Sequence, residues 1–279
     1  MHKKMHKEMH EKGDQVMNSS GIKYMVEESL RVLSRARDRY RRVYVMFSGG
    51  RDSLVVLDLA AKVFRPGEMK IVFIEVTGNT AKCNIDFVYR VHRKYYSEYE
   101  LMHLRRDIDF FEYMVRTGLH GLNARWCMRV FKLELLKKLM PPFFIVGVKR
   151  SDSRKRSIIY KSFFHRSEYT IGLSILPILN WTKREIHGYI KEYGLPLSPC
   201  YDRYGHSGNC MFCTYHNKKA ITLTLQDPYW KNKIINALNK IYTKSRYAEK
   251  IKRQWLKNNA IVNESILKYS KVISSEQQQ

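Results

Sequence analysis

The 279-residue chain lacks an apolar run long enough to cross a membrane. Its most apolar short run, Phe143-Phe144-Ile145-Val146-Gly147-Val148, falls far below the roughly 20 residues that a spanning helix needs. The N-terminus carries Lys and His with no apolar segment behind them, which argues against a secretory signal and for a cytoplasmic protein. Acidic residues are scarce: 26 Asp+Glu face 51 Lys+Arg, for a net charge of +25 and a pI near 9.8. That imbalance disfavours a neutral surface. It points to polyanionic partners, with a compositional habit of the source organism as the competing explanation. Cysteine is sparse too, with five residues and none after Cys213. Stable disulfides are rare inside cells, so these five read as core thiols, metal ligands or catalytic groups.

Apolar residues make up 44% of the chain, which excludes wholesale disorder. Residues 1–20 read as a polar tail, with His2, His6 and His10 at every fourth position. Helical spacing starts at Ile22, Val26, Leu30 and Leu33, giving a helix over 21–40. Short β-branched and aromatic runs predict strands at 43–47, 70–76, 99–104 and 143–148. Helical patterns lie between them at 54–64, 82–97, 107–118 and 128–139. Alternating strands and helices imply an α/β fold, a Rossmann-like, mainly parallel sheet with helices on both faces. Thr182 and Glu185 form a capping box for a helix over 182–193. Residues 194–217 read as a loop and 228–258 as basic helix. Between 217 and 272 there are 13 Lys and Arg against 3 Asp and Glu. The expected layout is a tail (1–20), a nucleotide-binding domain (21–216) with a Cys loop at 200–213, and a basic helical extension (217–279).

Ser48-Gly49-Gly50-Arg51-Asp52-Ser53 falls between a predicted strand and a predicted helix. Two glycines permit tight turns whose N–H groups converge on an anion. The following helix contributes its positive dipole end. Ser48 and Ser53 offer hydroxyl donors. Asp52 would repel phosphate, so it should hold Mg²⁺, orient the loop or cap the helix. No Gly-Lys-Ser/Thr follows, so this is not a Walker-type loop.

In this context Ser-Gly-Gly-x-Asp-Ser resembles the signature of the PP-loop ATP-pyrophosphatase, or adenine nucleotide alpha hydrolase, superfamily. Three further stretches are similar to its phosphoadenosine-phosphosulfate (PAPS) reductase family. They are Gly147-Val148-Lys149-Arg150-Ser151-Asp152-Ser153-Arg154-Lys155-Arg156, Pro177-Ile178-Leu179-Asn180-Trp181-Thr182, and Gly194-Leu195-Pro196-Leu197-Ser198-Pro199-Cys200-Tyr201-Asp202. Lys149 stands where the family usually has Arg. The resemblance implies ATP or PAPS as ligand, with Mg²⁺ accompanying ATP. It implies nucleotide contacts at Ser48, Gly49, Gly50, Arg51, Asp52, Ser53, Thr77, Gly78, Gly147, Lys149 and Ser153, and catalytic roles for Asp52, Arg150 and Arg156. Lys149, Arg150, Arg154, Lys155 and Arg156 follow a buried strand, where cationic heads would clamp outer phosphates or a sulfonate. A solvated basic loop is the plainer reading of the same charges.

Cys210-Met211-Phe212-Cys213 is a Cys-x-x-Cys pair. With Cys127 and Cys200 it makes four thiols, which suits a [4Fe–4S] cluster or, as the alternative, zinc. Iron–sulfur members of the family use a Cys-Cys pair plus Cys-x-x-Cys. Here Met128 replaces the second Cys of the pair, and Cys200 is the expected substitute ligand. Cys83 reads as a buried thiol. His206 and His216 flank the Cys-x-x-Cys and read first as ordinary hydrogen-bonding residues.

The reductases of the family also carry a catalytic Cys near the C-terminus, and this chain has no counterpart. The expected function is therefore ATP-dependent activation with sulfur transfer to a nucleic acid, tRNA or DNA. A sulfur-donor or thiol-reductant protein is an expected partner. The alternatives are a sulfonucleotide reductase that draws its nucleophile from another position, such as Cys83, and a non-catalytic nucleic-acid-binding protein. In the basic extension, Tyr229, Trp230, Tyr242, Tyr247 and Trp255 offer either stacking faces or core packing.

Overall fold

The computed structural model describes the backbone of residues 2–120, 125–140, 142–166, 172–243 and 245–276, with side chains from 21 to 265 within those stretches. Helix α1 (His2–Arg39) leads into β1 (Val43–Met46), α2 (Arg51–Ala61), β2 (Met69–Ile74), α3 (Lys82–Tyr95), β3 (Glu100–Leu104) and α4 (Phe110–Thr117). Helix α5 (Trp126–Met128) passes through a π turn (Arg129–Leu133) into α6 (Glu134–Leu136). Then follow β4 (Phe143–Ile145), a 3-10 turn (Arg150–Asp152), α7 (Arg154–Ile159), β5 (Phe164–Arg166) and β6 (Leu173–Ile175). The chain closes with α8 (Lys183–Glu192), α9 (Cys200–Tyr204), α10 (Lys218–Gln226), α11 (Pro228–Lys240) and α12 (Arg246–Glu276).

The strands form one six-stranded sheet in the order β3-β2-β1-β4-β6-β5. β1 pairs in parallel with β2 and β4, and β4 with β6, while β5 is antiparallel to β6. This is the expected α/β fold with a mainly parallel sheet. Its order reverses between β1 and β4, the place where ligands bind in such sheets. Alternating helices give the chain the long crossovers that parallel pairing requires. No helix among the described residues is long and apolar enough to cross a membrane.

The chain divides into two compact units. Unit 1 holds Met1–Phe73, Val88–His103 and Leu136–Leu197; unit 2 holds Ile74–Phe87, Leu104–Leu135 and Ser198–Gln279. Unit 1 buries Val45, Ile71, Phe73, Ile145 and Ile175 from the sheet, together with Leu54 and Leu57 of α2. In unit 1, α1, α2 and α8 pack together. Ser29 of α1 accepts the indole N–H of Trp181 at 3.0 Å and donates to the Pro177 carbonyl at 2.7 Å. Unit 2 has its own core, built on Phe110, Phe131, Phe212, Ile234, Leu238 and Trp255.

The capping box at Thr182 and Glu185 is present, and Asp227 caps α11 behind Pro228 at its first position. Three expectations need correcting. The polar tail is no separate segment, because α1 starts at His2 and no proline interrupts residues 1–40. The side chains of His2, His6 and His10 lie outside the described residues, as does the backbone of the final Gln277-Gln278-Gln279. The helix expected over 228–258 is two helices, because α11 ends at Lys240 and α12 begins at Arg246. β5 and β6 are three residues each, too short to leave a period of two in the sequence.

Candidate functional site

In unit 1, β1 feeds directly into the glycine loop. Gly49 takes a left-handed backbone, φ 76°, which a side chain would strain. Ser53 ties the loop to itself. Its Oγ donates to the Gly50 carbonyl at 2.8 Å, accepts from the Ser48 N–H at 3.2 Å and lies 3.1 Å from Ser48 Oγ. Helix α2 starts behind Gly50 with no side chain capping it. Its first N–H groups are therefore aimed out of the helix toward any anion held in the loop. Gly147, just past β4, is required by proximity: a Cβ there would lie 3.0 Å from the Asp52 carbonyl carbon and 3.2 Å from the Ser53 nitrogen.

The cations beyond β4 are committed differently from the phosphate clamp expected of them. Lys149 is 1% exposed and forms ion pairs with Asp52 Oδ2 and, at 3.1 Å, with Asp152 Oδ1. Arg150 directs a bond from each guanidinium nitrogen into the unit, to the Tyr160 carbonyl (2.8 Å), Asn180 Oδ1 (2.8 Å) and the Lys161 carbonyl (2.7 Å). Arg156 pairs with Asp152. Ser153 caps α7 by accepting from the Arg156 N–H at 3.2 Å. Lys149, Arg150 and Ser153 thus build the walls of the site, while Arg154 and Lys155 are exposed. None of this is legible in the sequence, where a buried and an exposed Lys look alike.

His187 was not foreseen. It sits on α8 with Nε2 3.0 Å from Nη1 of Arg51 in the glycine loop. A guanidinium donates there, so the imidazole nitrogen accepts. Burial and then Arg51 lower the His187 pKa, partly opposed by Asp52, which favours the neutral ring. No motif announces this contact, because α8 reaches the loop only through the fold.

Thr77 and Gly78, expected near the nucleotide, belong to unit 2. Thr77 donates to the Arg106 carbonyl. Gly78, φ 79°, lies against Asp109, where a Cβ would overlap the carboxylate. The neighbouring Asn79 is fully buried and serves the Cys loop. Its side chain accepts from the Phe212 N–H at 2.7 Å and donates to the Phe212 carbonyl at 3.0 Å, and its own carbonyl accepts from Met211 at 2.7 Å.

This places Cys210 and Cys213 on the wall of a unit 2 cavity that Cys127 also lines, together with Arg125, Lys132 and His120. All three thiols are free. Burial pushes the Cys210 thiol up, with Lys132 pulling the other way. Burial and Cys210 push Cys213 up to about 11. Arg125 keeps its charge despite burial because Cys127, Tyr215 and Cys213 are its neighbours. Cys200, expected as the fourth ligand, is instead bonded to Cys83, which was expected as a buried thiol. The Cα atoms of this pair are 6.0 Å apart, within disulfide reach. Among the described residues no three His, Cys, Asp or Glu side chains are grouped closely enough for a single metal ion.

His206 and His216 are packed ring to ring at 4.2 Å. His206 accepts from the Gly208 N–H at 3.1 Å, an ordinary structural role. Of the extension's aromatics, Trp230 and Trp255 are core residues and Tyr247 packs partly against that core. Tyr229 and Tyr242 are exposed, at 62% and 75%.

Residues 42–216 match the model of the phosphoadenosine phosphosulfate reductase domain. The chain belongs to that family. Two uncharacterized proteins of Methanocaldococcus jannaschii are each 30% identical to it, over 70% and 61% of this chain. The chain spans only 48% and 36% of their lengths. The adenosine 5'-phosphosulfate reductase of Shouchella clausii is 26% identical over 67% of this chain and 77% of its own. Among solved structures, the phosphoadenylyl-sulfate reductase of Candida auris in a phosphate complex superposes with a TM-score of 0.48 at 20% identity. That superposition covers 65% of this chain and 89% of the other. The family match includes the glycine loop, the Lys149 segment and the Cys-x-x-Cys, and leaves α11 and α12 outside it.

Proposed function

We propose that this family member binds ATP with Mg²⁺ at the glycine loop and serves sulfur transfer to a nucleic acid, and that Cys127, Cys210 and Cys213 hold a [4Fe–4S] cluster. The observation that carries the proposal is the set of three free thiols, Cys127, Cys210 and Cys213, on one cavity. A donor set of sulfur alone suits soft metal chemistry, and Arg125 and Lys132 offset the thiolate charge. Such a cluster, when bound, supplies a metal site able to carry sulfide.

The remaining chemistry falls to the chain. The N–H groups opening α2 cradle phosphate, on a loop that the Ser53 hydroxyl braces from within. Lys149 pairs with Asp52, the carboxylate that would hold Mg²⁺. Arg51, Arg154 and Lys155 are the cations placed for outer phosphates. ATP adenylates an oxygen of the nucleic acid with loss of pyrophosphate. Sulfur at the sulfide level then displaces AMP, so no electrons are exchanged. The basic α11 and α12 neutralise backbone phosphates, with Tyr229 and Tyr242 as stacking faces.

A second reading, a sulfonucleotide reductase, is favoured by the relatives of that name and by the Cys83–Cys200 pair, which a dithiol reductant would convert to two thiols. Mass spectrometry of nucleosides from cells with and without the protein separates the two. Loss of one thiolated nucleoside, restored by the wild type and not by Asp52→Ala, supports sulfur transfer. An unchanged nucleoside profile, with sulfite released from adenosine 5'-phosphosulfate or PAPS by the purified protein supplied with a dithiol reductant, overturns it in favour of the reductase.

A further inference from the structure

The function above leaves two cysteines unused. Cys200 is fully buried, whereas Cys83 is only half-buried and sits in the first turn of the 14-residue α3. A disulfide with one sheltered and one reachable sulfur is attacked at the reachable one.

The bond lies directly beneath the Cys loop. A Cβ on Gly208 would sit 2.7 Å from Cys200 Sγ and 3.2 Å from the Ala81 Cβ. The loop is zipped onto the residues just before α3. Ala81 donates its N–H to the Gly208 carbonyl at 2.8 Å, Thr80 Oγ1 donates to the Asn209 carbonyl at 2.9 Å, and Asn79 grips Met211 and Phe212. The disulfide therefore ties α3 to α9 under the segment that presents Cys210 and Cys213.

We propose that Cys83 and Cys200 form a reversible redox site, addressed by a dithiol reductant, that locks and releases the Cys210–Cys213 loop. One thiolate of the reductant attacks Cys83 Sγ, and Cys200 leaves as thiolate and takes up a proton. The second thiol of the reductant then closes onto its own mixed-disulfide sulfur and expels Cys83 as thiolate. Two electrons pass from the dithiol to the protein, and the reductant ends as a disulfide. Reduction cuts the tether below Gly208 and leaves only the hydrogen-bond zipper to hold the loop.

This inference deepens the proposed role of the thiol cavity, but its test needs neither nucleotide nor nucleic acid. The full-length protein is equilibrated in dithiothreitol redox buffers, then alkylated in denaturant and mapped by mass spectrometry. Cys83 and Cys200 are expected to gain label together as the buffer turns reducing, while Cys127, Cys210 and Cys213 are labelled throughout. Hydrogen exchange of residues 208–212 is expected to be about tenfold faster in the reduced wild type than in the oxidised protein. The exchange of Cys83→Ser should match the reduced protein in either buffer. Labelling of Cys83 and Cys200 under oxidising conditions, or equal exchange of 208–212 in both redox states, overturns the proposal. Loss of nucleotide binding alone bears on the function above and leaves the lock standing.

Discussion

Lys149 is sealed against Asp52: an ammonium 1% exposed closes on the carboxylate in the first turn of α2, with Asp152 completing its shell. A cation held this way fixes the loop's carboxylate and is not itself free for phosphate. Lys149→Met should leave two carboxylates facing each other in a partly buried site and destabilise the protein by about 3 kcal/mol, measured by urea unfolding. Adding Asp152→Asn should recover part of that loss. If Lys149→Met unfolds like the wild type, the ion pair is not a structural element.

Gly147 carries a steric prediction. Gly147→Ala should press on the Asp52 carbonyl and the Ser53 N–H, both backbone atoms that cannot swing aside. Overpacking of this kind costs about 1–3 kcal/mol. Titration calorimetry with ATP should register it as an affinity loss of about tenfold or more, with the secondary structure seen by circular dichroism unchanged.

Asn79 should govern the Cys loop. Asn79→Ala strands the N–H and carbonyl of Phe212 in a buried place, at about 1–3 kcal/mol for each group left unsatisfied. Anaerobically purified Asn79→Ala is expected to hold less iron than the wild type and to melt earlier. Asn79→Asp keeps the acceptor and loses the donor, so it should fall between the two.

The imidazole pair gives a pH dependence. Burial lowers the pKa of His206 to about 4, and burial with His206 lowers that of His216 to about 3, from an ordinary 6.5. The unfolded chain then binds protons that the folded chain refuses. Their contribution to stability is complete above pH 6.5 and is lost progressively as the pH falls from 6.5 toward 4 and 3. Melting temperatures across pH 7 to 4 should fall more steeply for the wild type than for a double variant, His206→Gln with His216→Gln.

Sequence patterns reached the sheet and the glycine loop because both are local. Val43–Met46 is an unbroken apolar strand, two glycines follow it, and the apolar positions of α2 recur at helical spacing. The partners of the cations beyond β4 are not legible in the sequence, for a physical reason. Charge is visible in a sequence, but whether Lys149 faces water or Asp52 depends on a partner 97 positions away. The same holds for Cys200, whose sulfur meets Cys83 across a separation of 117 residues. His187 and Asn79 act through contacts made only after folding. β5 and β6 were missed because three residues show no periodicity.

Unit 2 is assembled from three separate stretches of chain. A ribosome issues them in order, so residues 74–87 and 104–135 emerge long before the last stretch exists. Cys83 and Cys127 are made first and wait, with Cys200, Cys210 and Cys213 still to come. The core that buries the Cys loop reaches to Trp255 and Val262, so the thiols stay open to oxidants until that stretch has been made. Cells growing under oxidative stress should therefore lose this protein during synthesis more readily than they lose molecules already folded.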